Sequence, residues 1–241
     1  MCTLTWVKDA SSYEVFFNRD ELLTRSEEIP PSLHLKDKVQ FLAPVDPQGQ
    51  GTWVGVNDRG ITLCLANMYP SQRKEGKLYK SRGQLLWSLL SLESLNQVMD
   101  QIKKHDFKDY LGFRILGFSL QEKTCMAQYH EDQLKINTDA DDCYPVSSSS
   151  YQSKEVQEGR IKYFEETVGR SHKITADKLD QYQQSTYPQL SAYSVCMKRD
   201  NACTKSYSRI HVDKKNITFT YQPYPWKEPK PPLSILNLKL L

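Results

Sequence analysis

The sequence predicts an α+β fold in which two antiparallel β-sheets lie between layers of helices. Runs of β-branched and aromatic residues recur along the chain in pairs joined by short turn-rich segments, which is typical of hairpins and hence of antiparallel sheets. Stretches with apolar residues at three-to-four spacing separate the groups of hairpins and indicate amphipathic helices. Because the chain shows neither an internal repeat nor a clear boundary, we predict a single domain over residues 1–241.

The strands are predicted to form four hairpins. The first joins residues 3–7 to residues 13–17 across the turn-rich segment KDASS, so Cys2 is expected at the free start of a strand. The other hairpins are predicted in GTWVGVNDRGITLCLAN, in FRILGFSL with TCMAQYH, and in SYSRIHV with ITFTYQ, while LKIN adds a short strand. Because tight turns join these strands, neighbouring strands are expected to run antiparallel.

Three helices are predicted from capping residues and apolar stripes. The first begins at Ser81, where a serine N-cap with Gln84 three residues later precedes the apolar run LLWSLL. The other two carry the stripes Leu92, Leu95, Val98, Met99, Ile102 and Val156, Ile161, Phe164, Val168, the second of which is closed by Gly169. Two proline-containing stretches, residues 26–51 and 223–241, are expected to be irregular, and the second to wrap the surface.

The composition excludes several kinds of partner. The net charge of +3 comes from 32 basic and 29 acidic residues that are scattered along the chain, so we expect no nucleic-acid-binding face. No apolar run approaches the roughly 20 residues of a membrane span, and no signal-like segment opens the chain, which predicts a cytoplasmic protein without a transmembrane segment. The six cysteines and five histidines show no metal-ligand spacing, so we expect no metal and no cofactor.

Cys2 is the strongest chemical signal in the sequence. Removal of the initiator Met1 would leave a residue that carries a thiol and a free α-amine together. Nucleophilic catalysis needs a base beside a weakly acidic nucleophile, and an α-amine with a pKa of about 7.7–8 can serve as that base without a histidine. A cysteine at this position also occurs by chance, so the catalytic interpretation of Cys2 depends on its neighbours.

The stretch NRDE at residues 18–21 supplies such neighbours. In an antiparallel hairpin the second strand runs back beside the first, so this stretch is expected near Cys2. The guanidinium of Arg19 could lower the thiol pKa or hold a carboxylate or an oxyanion, and the carboxylate of Asp20 could orient the α-amine. Asn67, at the end of the apolar strand ITLCLA, is a candidate hydrogen-bond donor to a ligand. The alternatives are solvated charges at a hairpin exit and an ordinary turn asparagine.

A family resemblance rests on several of these motifs. MC at the start, NRDE at residues 18–21, GTWVGV, LAN and the helix start SRG occur in this order over most of the chain, and with them the sequence resembles the NRDE family, also called the transport and Golgi organisation family. That family is similar to the N-terminal nucleophile hydrolases, particularly the cholylglycine hydrolase and penicillin V acylase branch. The resemblance implies a four-layer αββα sandwich.

The resemblance also implies roles for individual residues. Cys2 falls on the nucleophile and base, Arg19 on a partner of the substrate or the thiolate, and Asp20 on the group that orients the α-amine. Asn67 falls on the oxyanion-hole asparagine of the acylase branch. Asn18, in the same NRDE motif, is expected to take part in substrate binding.

The chain departs from these families at two places. Where the acylases have T-N-S ahead of a helix, this chain has VSSSSYQ, so Ser148 or Ser149 replaces an amide donor by a hydroxyl. Where the NRDE family often has G-T-R-S, this chain has TKS at residues 204–206, so the point charge of Lys205 replaces a bidentate arginine. Arg209 is the alternative for the late arginine of the acylases, and Ser148, Lys205 and Arg209 are all predicted as substrate-binding residues.

Two functional hypotheses follow. The first is a cysteine amidohydrolase that cleaves a non-peptide C–N bond through an acyl-enzyme on Cys2. The second is a ligand-binding or trafficking protein on the same fold, which holds a haem, lipid or acyl ligand without turnover. The alternative to both is an α+β domain in which Cys2 is inert. In both cases the expected partner is a small molecule, and Trp53 and Tyr69 would favour an apolar acyl group or ring. The sequence leaves the substrate and the oligomeric state open.

Overall fold

A computed structural model describes residues 2–70, 74–143, 145–169 and 174–241. Fourteen strands and four helices lie within these ranges. In chain order they are β1 (Cys2–Lys8), β2 (Ser12–Leu22), β3 (Ile29–Lys36), β4 (Val39–Val45), β5 (Val54–Asn57), β6 (Thr62–Asn67), α1 (Arg82–Leu89), α2 (Leu95–Lys104), β7 (Phe113–Phe118), β8 (Cys125–His130), β9 (Gln133–Asn137), β10 (Val146–Ser148), α3 (Ser153–Thr167), α4 (Ala176–Gln184), β11 (Lys198–Arg199), β12 (Ala202–Asp213), β13 (Asn216–Pro223) and β14 (Ser234–Lys239).

The described strands form two antiparallel sheets of seven strands each. The first sheet has the order β10-β1-β2-β12-β13-β14, with β11 paired to β12. The second sheet follows chain order from β3 to β9. The first sheet therefore collects strands from the beginning, the middle and the end of the chain, whereas the second is built from consecutive strands.

Three apolar cores separate four layers, as the αββα prediction requires. The inner core lies between the sheets and includes Leu4 and Phe17 of the first sheet and Phe118 of the second. Helices α1 and α2 cover the outer face of the second sheet, and α3 and α4 cover the outer face of the first. Because side chains alternate along a strand, Phe17 of β2 belongs to the inner core while its neighbour Phe16 packs under α3 and α4.

The predicted helix ends are present in the structure. The backbone N of Gln84 donates to Ser81 Oγ at 3.3 Å, so Ser81 is the N-cap of α1. The Gln84 side chain donates to the carbonyl oxygen of Gly49 at 3.2 Å, and this contact ties α1 to the loop after β4. Gly169 follows α3 with φ of +82°, a left-handed conformation that glycine adopts without steric cost.

Two stretches that were expected to be irregular contain strands. Residues 29–45 hold β3 and β4, and residues 234–239 form β14. Both β3 and β14 are edge strands, and the register of β3 shifts between Ile29 and Ser32, where Pro30 and Pro31 lie. An edge strand tolerates proline because the missing backbone N–H needs no partner on its outer side. The expectation of an irregular segment was therefore wrong at these places.

Helix α4 was not predicted from the sequence. Its nine residues, ADKLDQYQQ, include only three apolar or aromatic positions, too few for a clear stripe. Leu179 and Tyr182 are nevertheless buried against the first sheet, and Thr175 caps the helix by accepting from the backbone N of Lys178 at 3.4 Å. Among the described residues, no helix has both the length and the apolar character needed to cross a bilayer.

Candidate active site

Cys2 is the first residue of a strand that is paired on both sides. In register it lies opposite Arg19 of β2 and opposite Ser148 of β10. The hairpin thus brings the NRDE stretch to Cys2. Ser148 lies 146 residues further along the chain and contacts Cys2 through strand pairing. Residues directly opposite each other in an antiparallel pair share a face of the sheet, so the side chains of Cys2 and Arg19 lie on the same side.

A pocket of about 260 Å³ lies beside Cys2. Its walls come from the end of β2, the segment after β4, the end of β6 and the start of α1. Cys2 lines this pocket and is only 6 % exposed. Many of the lining residues carry charged side chains, among them Arg19, Glu21, Arg25, Asp46, Lys80 and Arg82.

Arg19 is held by several partners at once. Its Nη1 donates to Glu28 Oε2 at 2.5 Å, and its Nη2 lies 3.8 Å from Glu21 Oε2 and 3.7 Å from Asp46 Oδ2. The guanidinium carbon is 4.3 Å from the centroid of the Trp53 ring, within the range of a cation–π contact. The guanidinium is therefore fixed in place, with its charge compensated by three carboxylates before any ligand binds.

The environment of Cys2 favours the neutral thiol. Burial raises the pKa of this thiol to about 11, the Asp20 carboxylate acts in the same direction, and the Arg19 guanidinium acts against it. The backbone N of Cys2 donates to Ser148 Oγ at 3.0 Å. Because this nitrogen becomes the α-amine when Met1 is removed, Ser148 is placed to position the candidate base.

The carboxylate of Asp20 lies on the opposite face of β2 from Arg19, since successive side chains of a strand alternate. Its Oδ1 accepts from Thr204 Oγ1 at 2.7 Å, and its Oδ2 lies 3.4 Å from Nη1 of Arg160. The side chains of Asp20 and Arg160 are 0 % and 1 % exposed. Asp20 thus joins β2 to β12 and α3 and reaches the thiol through its electrostatic field.

Arg160 contacts the strand that carries Cys2 and both strands paired with it. Its Nη1 donates to Thr3 Oγ1 at 2.7 Å and to Ser147 Oγ at 3.3 Å, and the same nitrogen faces Asp20. Thr3 directly follows Cys2 on β1, Ser147 lies on β10, and Asp20 lies on β2. One buried guanidinium therefore fixes the relative positions of β1, β2 and β10 from behind the site.

Sequence reasoning missed Arg160 and the carboxylates that hold Arg19. A signal existed for Arg160, because it falls between Val156 and Phe164 at spacings of four, in the middle of a buried helical stripe. No comparable signal marked Glu28 or Asp46, which lie in the stretch that was expected to be irregular. Burial alone would raise the pKa of Asp46, but hydrogen bonds from Arg25 and from a backbone amide lower it.

The two predicted asparagines have different environments. Asn67 lines the pocket at the end of β6, and its Nδ2 donates to the hydroxyl of Tyr69 at 3.4 Å. Asn18 is fully buried, and its Nδ2 donates to the carbonyl oxygens of Gln183 at 2.7 Å and Val195 at 3.1 Å. Asn67 is thus available to a ligand, whereas Asn18 ties β2 to α4 and to the segment after it.

The two late basic residues are not among the described residues that line the pocket. Lys205 Nζ donates to the carbonyl oxygen of Arg25 at 2.6 Å and lies 3.7 Å from Glu27 Oε1. Arg209 Nε donates to Glu14 Oε2 at 2.6 Å in a separate pocket on the outer side of the first sheet. Lys205 therefore braces the segment after β2, and Arg209 is separated from Cys2 by the sheet.

Solved structures of three enzymes share this fold. The penicillin V acylase from Agrobacterium tumefaciens matches with a TM-score of 0.56 at 9% identity, over 99% of this chain and 86% of that chain. The mutant C2A conjugated bile acid hydrolase from Clostridium perfringens matches with a TM-score of 0.50 at 13% identity, over 100% and 92% of the two chains. The N-acylethanolamine-hydrolyzing acid amidase ortholog of Caenorhabditis elegans matches with a TM-score of 0.58 at 9% identity, over 87% and 92%. The chain thus has the fold of the N-terminal nucleophile hydrolases.

The fold is shared by many families, and the amino-acid sequence identifies the family of this chain. It belongs to the Transport and Golgi organisation 2 family, whose model matches residues 1–223. The match extends from before β1 to the end of β13 and so includes the whole pocket beside Cys2. No curated protein sequence matches the chain significantly.

Proposed function

We propose that this protein is a cysteine amidohydrolase that cleaves the C–N bond of a small polar amide through an acyl-enzyme on Cys2. The proposal rests chiefly on one observation: Cys2, at the start of β1, presents its thiol to a pocket directly opposite Arg19 while its backbone nitrogen is held by Ser148. The shared fold with amide hydrolases supports this assignment.

The proposed reaction begins after Met1 has been removed. The α-amine of Cys2 takes the thiol proton, and Sγ attacks the carbonyl carbon of the amide to give a tetrahedral oxyanion. The C–N bond then breaks, the amine leaves with the proton that the α-ammonium returns, and a thioester remains on Sγ. Water, deprotonated by the same α-amine, attacks the thioester, releases the carboxylic acid and restores the thiol.

Ser148 and Asn67 are the proposed donors to the oxyanion. Ser148 Oγ accepts from the Cys2 nitrogen with a lone pair, and its hydroxyl hydrogen, which has no acceptor among the described residues, can donate towards the reacting carbonyl oxygen. Asn67 Nδ2, whose contact with the Tyr69 hydroxyl is long at 3.4 Å, is the second donor at the pocket wall. A preorganised pair of such donors contributes a rate factor of about 10² to 10³ for each donor.

The charged groups of the pocket restrict the chemical class of substrate that can bind. Trp53, Leu65 and Leu111 are the large apolar side chains among the described lining residues, whereas charged groups of both signs surround them. Tyr69 lies outside the lining and packs near Met197 instead. A polar substrate, with groups that can replace the carboxylate partners of arginine, therefore fits the pocket better than the apolar acyl group or ring that was expected from the sequence.

The proposal can be tested by mass and by chemistry. The intact mass of purified protein should show loss of Met1, and p-nitrophenyl acetate should acetylate the processed protein on one cysteine. Cys2→Ala should abolish the acetylation, and Cys143→Ala, which removes a half-buried thiol outside the pocket, should leave it unchanged. Retained Met1, or equal acetylation of wild type and Cys2→Ala, would overturn the hydrolase assignment.

Binding without turnover is the second candidate function. It is supported by the burial of Cys2, which keeps the thiol neutral near physiological pH, and by the full set of carboxylate partners around Arg19. Under this alternative the chain keeps Met1, and a haem, lipid or acyl ligand binds with only part of its volume inside the pocket, which holds about 260 Å³. A haem titration followed by absorbance tests the haem version, since a haem-binding protein should shift the Soret band at micromolar concentration.

A further inference from the structure

We propose that a second pocket, bounded by the second sheet, β10 and α3, binds a small aliphatic carboxylate through Arg114. This pocket has a volume of about 240 Å³ and shares no described lining residue with the pocket of Cys2. Arg114 reaches it from β7, and Gln128, its partner in register on β8, lines the pocket beside it. Arg114 Nε donates to Gln128 Oε1 at 2.9 Å, which fixes the plane of the guanidinium.

Arg114 lacks a counter-ion. Among the described residues no carboxylate forms an ion pair with it, and the remaining residues, 1, 71–73, 144 and 170–173, include neither Asp nor Glu. By contrast, Arg19, Arg25 and Arg209 each have a carboxylate partner at 2.6 Å or less. Burial lowers the pKa of Arg114, and no neighbouring charge offsets this effect. A partly desolvated cation without a partner is the complement of an anionic ligand.

The hydrogen-bonding geometry favours a carboxylate. With Nε of Arg114 used by Gln128, Nη1 and Nη2 at the terminal edge of the guanidinium have no acceptor among the described residues. Two parallel N–H groups on this edge match the two oxygens of a carboxylate in a bidentate contact. The site therefore recognises a planar monoanion in preference to a neutral group of the same shape.

The other side chains of the pocket define the rest of the ligand. Met126, Val146 and Ile161 provide an apolar surface beside the polar end formed by Arg114 and Gln128. The volume is below the roughly 300–1,000 Å³ of pockets for drug-sized ligands, so a long acyl chain does not fit. A carboxylate with a short alkyl chain satisfies both the charge and the apolar surface.

Calorimetric titration of the full-length protein tests the proposal, with butyrate as probe, butyramide as a neutral compound of the same shape, and inorganic phosphate as a different anion. All titrations are made at one ionic strength. Butyrate should bind saturably and more tightly than either of the others. Arg114→Gln should weaken butyrate binding by about tenfold or more, while Arg59→Gln, an exposed arginine in the β5–β6 turn, should leave it unchanged.

A second variant distinguishes loss of the binding site from misfolding of Arg114→Gln. Ile161→Phe fills the apolar part of the pocket without changing any charge, and it should also reduce butyrate binding. The proposal is overturned if butyramide binds as well as butyrate, if phosphate binds more tightly, or if neither variant weakens butyrate binding. Because none of these measurements requires turnover, they are independent of whether Cys2 is a catalytic nucleophile.

Discussion

Nη1 of Arg160 and Oδ2 of Asp20 lie 3.4 Å apart in the interior of the protein, where both side chains are at most 1 % exposed. Asp20 is on the strand that carries Arg19, and Arg160 also holds the residues next to Cys2 and Ser148. The candidate active site is therefore supported from behind by one ion pair, although neither charged group of that pair lies on the thiol side of the sheet.

Removal of Arg160 should destabilise the fold. Arg160→Met leaves the Asp20 carboxylate buried without its cation. Breaking a buried ion pair in this way lowers the free energy of unfolding by about 3–5 kcal/mol. Urea denaturation should show this loss as a lower midpoint. On the same helix, Lys162→Met removes an exposed ammonium whose Nζ lies 3.9 Å from Glu166 Oε1. This change should lower the free energy of unfolding by less than about 1 kcal/mol. Equal costs for the two variants would contradict the structural role of Arg160.

Gly51 should tolerate no side chain. A Cβ at this position would lie 2.2 Å from the carbonyl carbon of Gly83 and 2.4 Å from the backbone N of Gln84, so Gly51→Ala must displace the start of α1, which forms a pocket wall. We expect lower stability by thermal denaturation and slower labelling of Cys2.

Gly159→Ala is the matched control for that substitution. Gly159 lies within α3, and nothing lies within 4 Å of an added Cβ. Alanine there should stabilise the protein by about 0.5–1 kcal/mol, because glycine is unfavourable inside a helix. A destabilised Gly159→Ala variant would show that helix propensity does not govern this position.

The reactivity of Cys2 should depend on processing of the N-terminus. In a chain extended ahead of Met1, the raised pKa of about 11 leaves a smaller thiolate fraction at pH 8 than an ordinary cysteine has, by roughly two orders of magnitude. Its iodoacetamide labelling rate should therefore rise about tenfold for each pH unit through the alkaline range. In the processed chain the α-amine supplies a base, and the rate should level off near its pKa of about 8. Identical pH profiles for the two chains would argue against the α-amine as base.

Ser148 should matter for chemistry more than for stability. Ser148→Ala removes the acceptor of the Cys2 nitrogen and one candidate oxyanion donor, so the rate of acetylation by p-nitrophenyl acetate should fall by about 10² to 10³. Ser150→Ala changes an exposed position two residues further on, and Cys2 of this variant should be acetylated at the wild-type rate. A wild-type rate in Ser148→Ala would remove the hydroxyl from the proposed mechanism.

Local sequence determined the elements that bring Cys2 and Arg19 together. A turn between two β-rich runs makes a hairpin, and the lengths of its strands place residue 19 opposite residue 2. Capping by Ser81 and the apolar stripes of α2 and α3 are likewise local, because each depends on residues within one or two turns of helix. These features could be predicted because their physical cause lies in neighbouring residues.

Only the tertiary structure decided which groups surround the thiol. Ser148 and Arg160 reach the site because the sheet pairs β10 with β1 and because α3 packs behind them, and Glu28 reaches Arg19 from a stretch that looked irregular. Arg209 carries the same charge as Arg19, yet its place on β12 puts it on the other face of the sheet. The order of strands in a sheet depends on the packing of the whole chain, so side chains far apart in sequence meet only once that packing is complete.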